Sequence, residues 1–212
     1  MSEVSDVVSL SAAVAVRDWA LVRDKMTAFH AARGAESEAA TALEEAMLQC
    51  YLFLGFPAAL QAFSIWREVA GETGSETGRD PAEDSLEEWR ERGQSICRTV
   101  YQANFEKLRA NVHTMHPALD RWMITEGYGK VLGRPGLSLA ARELCTVAIL
   151  AATGWERQLH SHLRGALNAS ASRQDVDDAL QIGLRLSPDP DWRRRAEDLW
   201  VRVRERHNTT TG

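Results

Sequence analysis

Apolar residues recur at helical spacing along nearly the whole chain, and no stretch of useful length alternates between apolar and polar positions. Alternation is typical of a half-buried strand, whereas apolar residues three and four apart form one buried stripe along a helix. Gly34, Gly55 and Gly154 each follow a helical stretch, and Pro57 suits the first turn of the next helix. The sequence therefore predicts an all-α fold.

Local signals predict where these helices begin and end. One helix is expected over residues 10–32, and a capping box of Ser85 and Glu88 opens a long one over 85–112. Ser172 with Asp175 repeats this capping pattern at the start of a later helix. Between them, "GETGSETGRDPAED" has no apolar pattern and reads as a linker. This predicts an N-terminal helical half over residues 1–70, a linker over 71–84 and a C-terminal half over 85–212.

Composition narrows the class of protein. Hydrophobic residues make up 44% of the 212 residues and charged residues 26%, as in ordinary globular proteins. The net charge of -5 argues against a nucleic-acid-binding protein, because a phosphate backbone requires a concentrated basic face. No apolar run reaches the length of a membrane span, and the acidic N-terminus does not resemble a signal peptide. We therefore expect a cytoplasmic protein with neither nucleic acid nor membrane as partner.

The three cysteines, Cys50, Cys97 and Cys145, lie far apart in the sequence. A dithiol redox site needs two thiols about one helical turn apart, typically in a C-x-x-C motif, and the sequence has none. Cys50 and Cys145 stand in apolar stripes. We expect reduced, mostly buried thiols.

The histidines give no set of metal ligands. His160 and His162 are two residues apart and would point to different faces of a helix, while His113 and His116 lack further ligands nearby. We expect no metal and no cofactor. His162 leans toward a packed face, where a neutral imidazole needs a partner. It is either a satisfied core or interface histidine or a catalytic one.

Two arginines stand near the start of the helix that contains Cys145. Arg134 lies in the loop "GRPG", which Pro135 stiffens, and Arg142 falls one turn into the helix. A guanidinium held in this way can bind a carboxylate with its planar fork, or it can pair at a helix end.

The two halves also share a faint repeat. "FHAARGAESEAATALEEAMLQ" aligns without a gap with "SHLRGALNASASRQDVDDALQ", so that His30 stands opposite His162 and Gln49 opposite Gln181. Each copy reads as a helix, a turn of small residues and a second helix with acidic residues near its start. The pattern favours two related helical hairpins packed together.

"YGKVLGRPGLSLAARELCTVAILAATGWERQLHSHLRGALNASASRQDVDDAL" resembles the carboxymuconolactone decarboxylase family, which includes the AhpD-like alkylhydroperoxidases. The matching positions are Tyr128-Gly129, the run Arg134-Pro135-Gly136-Leu137, Arg142, and Gln158-Leu159 followed by His162. A further likeness runs through "LEEAMLQCYLFLGFPAALQAF", with Tyr51, Gly55 and Pro57. Together these cover about residues 8–66 and 125–186. The resemblance implies an AhpD-like helical bundle and a homo-oligomer.

The resemblance also implies a site and a choice of functions. A decarboxylase needs to bind an acid and stabilise a developing enolate, so the catalytic candidates are His162, Arg134 and Arg142. Tyr51, Glu45 and Tyr128 are candidates for substrate binding. Three functions remain open: a carboxy-lyase or binder for a small carboxylated or lactone-type metabolite, an AhpD-like alkylhydroperoxidase of the peroxiredoxin type, or a non-catalytic oligomeric binding protein. The missing C-x-x-C pair disfavours the second, and Gln158 stands where the decarboxylases have glutamate.

Overall fold

The computed structural model describes residues 3–35, 37–71 and 85–210, and all the regular structure in these ranges is helical. The predicted fold class is confirmed. No helix that the structure describes combines the length and the apolar run that crossing a bilayer requires. In chain order the helices are α1 (Glu3–Ala15), α2 (Trp19–Arg33), α3 (Glu38–Leu54), α4 (Phe56–Ala70), α5 (Leu86–Tyr101), α6 (Phe105–Met115), α7 (Pro117–Trp122), a π-helix (Met123–Leu132), α8 (Leu139–Thr153), α9 (Glu156–Asn168), α10 (Arg173–Leu186) and α11 (Pro190–Thr210).

Two helices predicted to be continuous are each interrupted. Helix α1 is followed by a tight turn in which Arg17 has a φ of 58°. Helix α2 then begins after Asp18, whose side chain accepts a hydrogen bond from the Leu21 amide. After α5, Gln102 has a φ of 46° and starts a short 3₁₀ turn. The predictions of single helices over 10–32 and 85–112 were therefore wrong. Left-handed geometry at a residue other than glycine leaves no clear signal in a sequence.

The predicted caps are present. Ser85 with Glu88 and Ser172 with Asp175 form capping boxes at the starts of α5 and α10. Gly154, in a left-handed conformation, ends α8. Of the predicted linker over residues 71–84, residues 72–84 lie outside the described part of the chain.

Helix α8 is the centre of the molecule. Every residue from Ala141 to Ala152 is buried, because α1, α9 and α10 all pack against it. One large hydrophobic core contains residues of α1–α4 together with residues of α8–α11. The helices before and after the predicted linker thus share a core, while their division into two related halves stays a prediction.

A second, smaller core lies between α5, α6 and the π-helix. The backbones of α5 and the π-helix touch: a Cβ on Gly93 would lie 2.0 Å from the Ile124 carbonyl oxygen, and one on Gly129 would lie 1.9 Å from that of Trp89. Only glycine permits this approach. It places Tyr101, at the end of α5, beside α9.

Candidate active site

A buried carboxylate and an imidazole meet where α8 packs against α9. The two helices form a hairpin around Gly154, with Glu143 on the first and His162 on the second. Glu143 Oε2 lies 2.8 Å from His162 Nδ1. Glu143 is fully buried and His162 is 7% exposed. The expectation that His162 faces a packed surface with a partner is confirmed.

Gly165, one turn after His162 on α9, makes room for the Glu143 carboxylate. A Cβ at this position would lie 2.5 Å from Glu143 Oε2 and 2.7 Å from Val100 Cγ1. Both distances are far below van der Waals contact. The glycine therefore allows α9 to lie close enough to α8 and α5 for the carboxylate to reach the imidazole.

Aromatic rings surround the imidazole. The rings of Phe53 and Tyr101 have their centroids 6.3 and 6.5 Å from that of His162, both edge to face. Tyr128 follows behind Tyr101 at 6.1 Å. Burial raises the pKa of Tyr101 to about 12 and the pKa of Tyr128 well above its ordinary value. Both phenols therefore keep their protons at neutral pH and can donate hydrogen bonds.

A second buried carboxylate, Glu45 on α3, holds two guanidinium groups. Arg134 Nε lies 3.1 and 3.0 Å from the two Glu45 oxygens, and Arg134 Nη2 lies 3.0 Å from Oε1. Arg142 Nη2 donates to Glu45 Oε2 at 2.7 Å and to the carbonyl oxygens of Arg134 and Pro135 at 3.1 Å. Burial lowers the pKa of Arg142 and Glu45 opposes that shift. This cluster ties the 134–135 loop to α3.

The predicted catalytic residues thus divide between two clusters. Arg142 and Glu143 are neighbours on α8, and consecutive helical residues point about 100° apart because a turn has 3.6 residues. Arg142 consequently faces α3 while Glu143 faces α9. Among the described residues, no interaction joins His162 to Arg134 or Arg142. Their predicted role as a clamp for a substrate carboxylate stays a prediction, and Glu45 is the carboxylate they hold here.

The three residues predicted to bind substrate have different surroundings. Glu45 is 5% exposed and engaged by the arginines, and Tyr128 is 4% exposed within the second core. Tyr51 donates a hydrogen bond to Glu126 and stacks on Phe56 with ring centroids 5.1 Å apart. Tyr128 packs edge to face on Tyr101, whose ring in turn packs on His162.

The thiols lie in the cores. Cys50, Cys97 and Cys145 are free and at most 1% exposed, as expected. Burial raises the pKa of Cys50 and of Cys97 to about 12 and that of Cys145 to about 11, and a hydrogen bond with Ser11 opposes the shift at Cys50 and Cys145. Such thiols are protonated at neutral pH and are poor nucleophiles. In the ranges that the structure describes, no group of three or more potential ligands is placed to hold a metal ion.

Comparison with known proteins connects this site to a family. The model of the carboxymuconolactone decarboxylase family matches residues 117–193. The matched segment is similar to that family. It runs from α7 into the start of α11 and carries Arg134, Arg142, Glu143 and His162, whereas Glu45 precedes it. The match coincides with the later of the two regions in which a resemblance was predicted, and the earlier one stays a prediction.

A curated relative agrees with the family assignment. The 4-carboxymuconolactone decarboxylase of Acinetobacter baylyi is 29% identical over 70 residues, which are 33% of this chain and 52% of the relative. The chain spans about half the length of the curated relative that it matches.

Sequence analysis missed Glu143 within this family segment. A signal was available, because Glu143 precedes the apolar run "LCTVAIL" in a helix that is otherwise buried on all sides. A carboxylate buried so completely requires a partner. Tyr101, which precedes the segment, was also missed, and no local motif marks it.

Proposed function

We propose that this chain is an enzyme that decarboxylates a small carboxylated lactone-type metabolite, with His162 as the proton-transferring group. The observation that carries the proposal is the buried contact of 2.8 Å between His162 Nδ1 and Glu143 Oε2. The family match over residues 117–193 supports the reaction class. The printed name of the relative makes 4-carboxymuconolactone the first substrate to test.

Glu143 would fix both the orientation and the proton of the imidazole. A carboxylate on Nδ1 accepts a hydrogen bond from the Nδ1–H group, stabilises the imidazolium ion and leaves Nε2 for the substrate. Within the described chain, Nε2 makes no hydrogen bond, and the phenols of Tyr101, whose ring packs on the imidazole, and of Tyr128 behind it stay protonated. An imidazolium formed here during the reaction would be a proton donor next to the aromatic rings of Phe53 and Tyr101.

The reaction then needs few groups. The bond between the carboxylate and its carbon breaks, its electron pair moves into the conjugated carbonyl, and carbon dioxide leaves an enolate. His162 Nε2 gives its proton to the carbon, and the imidazole takes a proton back from water. A donor close to the enolate oxygen lowers the barrier because negative charge develops there.

Arg134 and Arg142 would act by fixing the loop before α8. Their guanidinium groups share Glu45, and a substrate carboxylate would bind Arg134 only by displacing that partner. If Glu45 stays bound to the two arginines, a different cation of the chain has to bind the substrate carboxylate.

The thiol peroxidase alternative has less support. Peroxide reduction through cysteine requires an accessible thiolate, whereas all three thiols here are buried and their pKa values are raised to about 11 or 12. A peroxide-consumption assay on the wild type separates the two activities. Rapid consumption that is lost in a cysteine variant would favour the peroxidase.

The experiment follows 4-carboxymuconolactone and related lactone carboxylates by ultraviolet absorbance in the wild type and in His162→Gln. We expect the variant to lose roughly 10²- to 10⁴-fold in kcat, the usual contribution of an acid–base group, with little change in Tm. His113→Gln, an exposed histidine on α6, is the control and should keep full activity. A variant that turns over normally would contradict the proposal. A wild type without turnover on the whole panel would favour the non-catalytic binding protein.

A further inference from the structure

A cavity of about 200 Å³ lies between α9 and the junction of α5 and α6. Its polar lining includes Lys107, His160 and Arg164 together with the amide side chains Asn104 and Asn111. No carboxylate lines it. Two larger cavities in the described chain differ in this respect, since Asp6 and Asp24 line one, and Asp175 and Asp178 the other. The cavity on α9 is thus suited to a negative ligand.

The positive charges here are concentrated and available. In the described part of the chain neither Lys107 nor Arg164 forms an ion pair. Burial lowers the pKa of His160, and the charges of Arg164, Arg206 and Arg202 lower it further, so α11 adds to the positive potential. The chain as a whole carries a charge of -5, so the positive charge around this cavity differs in sign from the chain as a whole and attracts anions locally.

The cavity is built on rigid elements and has an apolar part. Asn168 Nδ2 donates to the Val100 carbonyl oxygen at 2.8 Å, which fastens the end of α9 to the end of α5. Val100 and Leu108 supply apolar lining. The small volume and mixed lining fit a compact ligand with a carboxylate end and a short carbon skeleton, because ligand sites combine apolar walls with a few placed polar groups.

Tyr101 belongs both to the lining of this cavity and to the surroundings of His162 in the candidate active site. It lines the cavity on one side, and its ring lies 6.5 Å from the His162 ring on the other. Hydrogen bonding to Tyr128 and to Ser161, which also lines the cavity, opposes the effect of burial on the pKa of Tyr101. Tyr101 therefore contacts both the cavity and the surroundings of the imidazole.

We propose that this cavity binds the carboxylate of a compact organic acid between Lys107 and Arg164, beside Tyr101 and the Glu143–His162 pair. The planar guanidinium of Arg164 offers two parallel donors to a carboxylate, and Lys107 supplies a second positive charge. Asn104 and Asn111 can donate to the remaining oxygen positions. That the bound acid is the substrate rests on the proposed function, whereas the binding of the carboxylate does not.

The test uses adipate, a six-carbon dicarboxylate, and 1,6-hexanediol, its uncharged counterpart. Each is titrated calorimetrically into the wild type, Arg164→Gln, Lys107→Gln and the control Arg185→Gln, which removes the same charge at a cavity on α10. We expect adipate to bind the wild type and Arg185→Gln equally. Loss of either cavity cation should weaken binding about tenfold or more, as expected for a charge-assisted hydrogen bond. Hexanediol should not bind.

Three outcomes overturn the proposal. The first is that adipate does not bind, and the second is that adipate binds Arg164→Gln and Arg185→Gln equally. The third is that inorganic phosphate binds through Arg164 as tightly as adipate, which would make the cavity a phosphate site. Lys107 and Arg164 are exposed, so their variants should fold, and equal Tm values would verify this.

A last variant separates this inference from the proposed function. His162→Gln should bind adipate like the wild type, because His162 does not line the cavity. Binding that depends on Arg164, together with no turnover in the wild type, would retain the carboxylate site and reject the decarboxylase. Turnover that depends on His162 but is unaffected in Arg164→Gln, with no adipate binding, would do the reverse.

Discussion

Two glutamates are buried in the described part of the structure, Glu45 on α3 and Glu143 on α8, and their hydrogen-bond partners differ. Glu45 receives hydrogen bonds on both oxygens from two guanidinium groups, which keep their charge at any ordinary pH. Glu143 receives one contact, from an imidazole that can gain and lose a proton, and its Oε1 has no hydrogen-bond partner in the described chain. The comparison teaches that the partner decides the role: a permanent cation makes a buried carboxylate structural, whereas a titratable one leaves it available for chemistry.

The largest effect is expected from removing the charge of Glu45. Glu45→Gln removes the carboxylate charge that pairs with Arg134 and Arg142, and breaking a buried ion pair by removing one partner costs about 3–5 kcal/mol in the free energy of unfolding. Urea denaturation measures this. Glu44→Gln, its half-buried neighbour bonded to Trp66 Nε1, is the control and should cost under about 1 kcal/mol. Equal costs for the two variants would show that the Glu45 cluster contributes no special stability.

A smaller effect is expected at the other glutamate. Gly165→Ala places a methyl group against Glu143 Oε2 and Val100, so the carboxylate shifts away from His162. We expect a loss of about 1–3 kcal/mol of stability from overpacking and about tenfold or more in kcat from misplacement. Denaturation and the decarboxylation assay measure the two. Gly127→Ala, where a Cβ would meet nothing within 4 Å, should leave both unchanged. Full activity in Gly165→Ala would argue that the Glu143 contact is dispensable.

The smallest effect comes from a third carboxylate, Asp120, whose partner Arg109 is more exposed than the partners of Glu45. Arg109 donates two hydrogen bonds to Asp120 and thereby lowers the pKa of Asp120 below 3.8. A carboxyl whose pKa falls on folding stabilises the native state above its unfolded pKa, and this stabilisation disappears as the pH falls through the folded pKa. Asp120→Asn should therefore cost about 1 kcal/mol at pH 7 and almost nothing well below pH 3. Urea midpoints across this pH range measure it.

The exposed Asp24→Asn is the control for that series and should show no such dependence. A cost that stays constant with pH would mean that Asp120 contributes through packing and not through its charge. In that case the stabilisation from the three carboxylates would no longer follow the number and the burial of their charged partners.

Local signals in the sequence predicted most of the helices, because caps and breakers act within a few residues of where they stand. Ser85, Ser172 and Gly154 function as expected. Sequence analysis missed the helix breaks at Arg17 and Gln102 and the π-helix. Tertiary packing selects these geometries, and no residue type indicates them in the sequence. His162 was found because its helix face could be read from the pattern. Its partner was not, because the Glu143 contact spans a hairpin and depends on the close approach at Gly165.

The contact between the backbones of α5 and the π-helix has a consequence for the tyrosines that these elements carry. Because no side chains separate the two backbones, α5 and the π-helix cannot slide or tilt independently and move as one rigid unit. Tyr101 on α5 and Tyr128 on the π-helix therefore keep a constant spacing when other helices move. The relative placement of these two phenols therefore depends on Gly93 and Gly129, two residues that have no side chain.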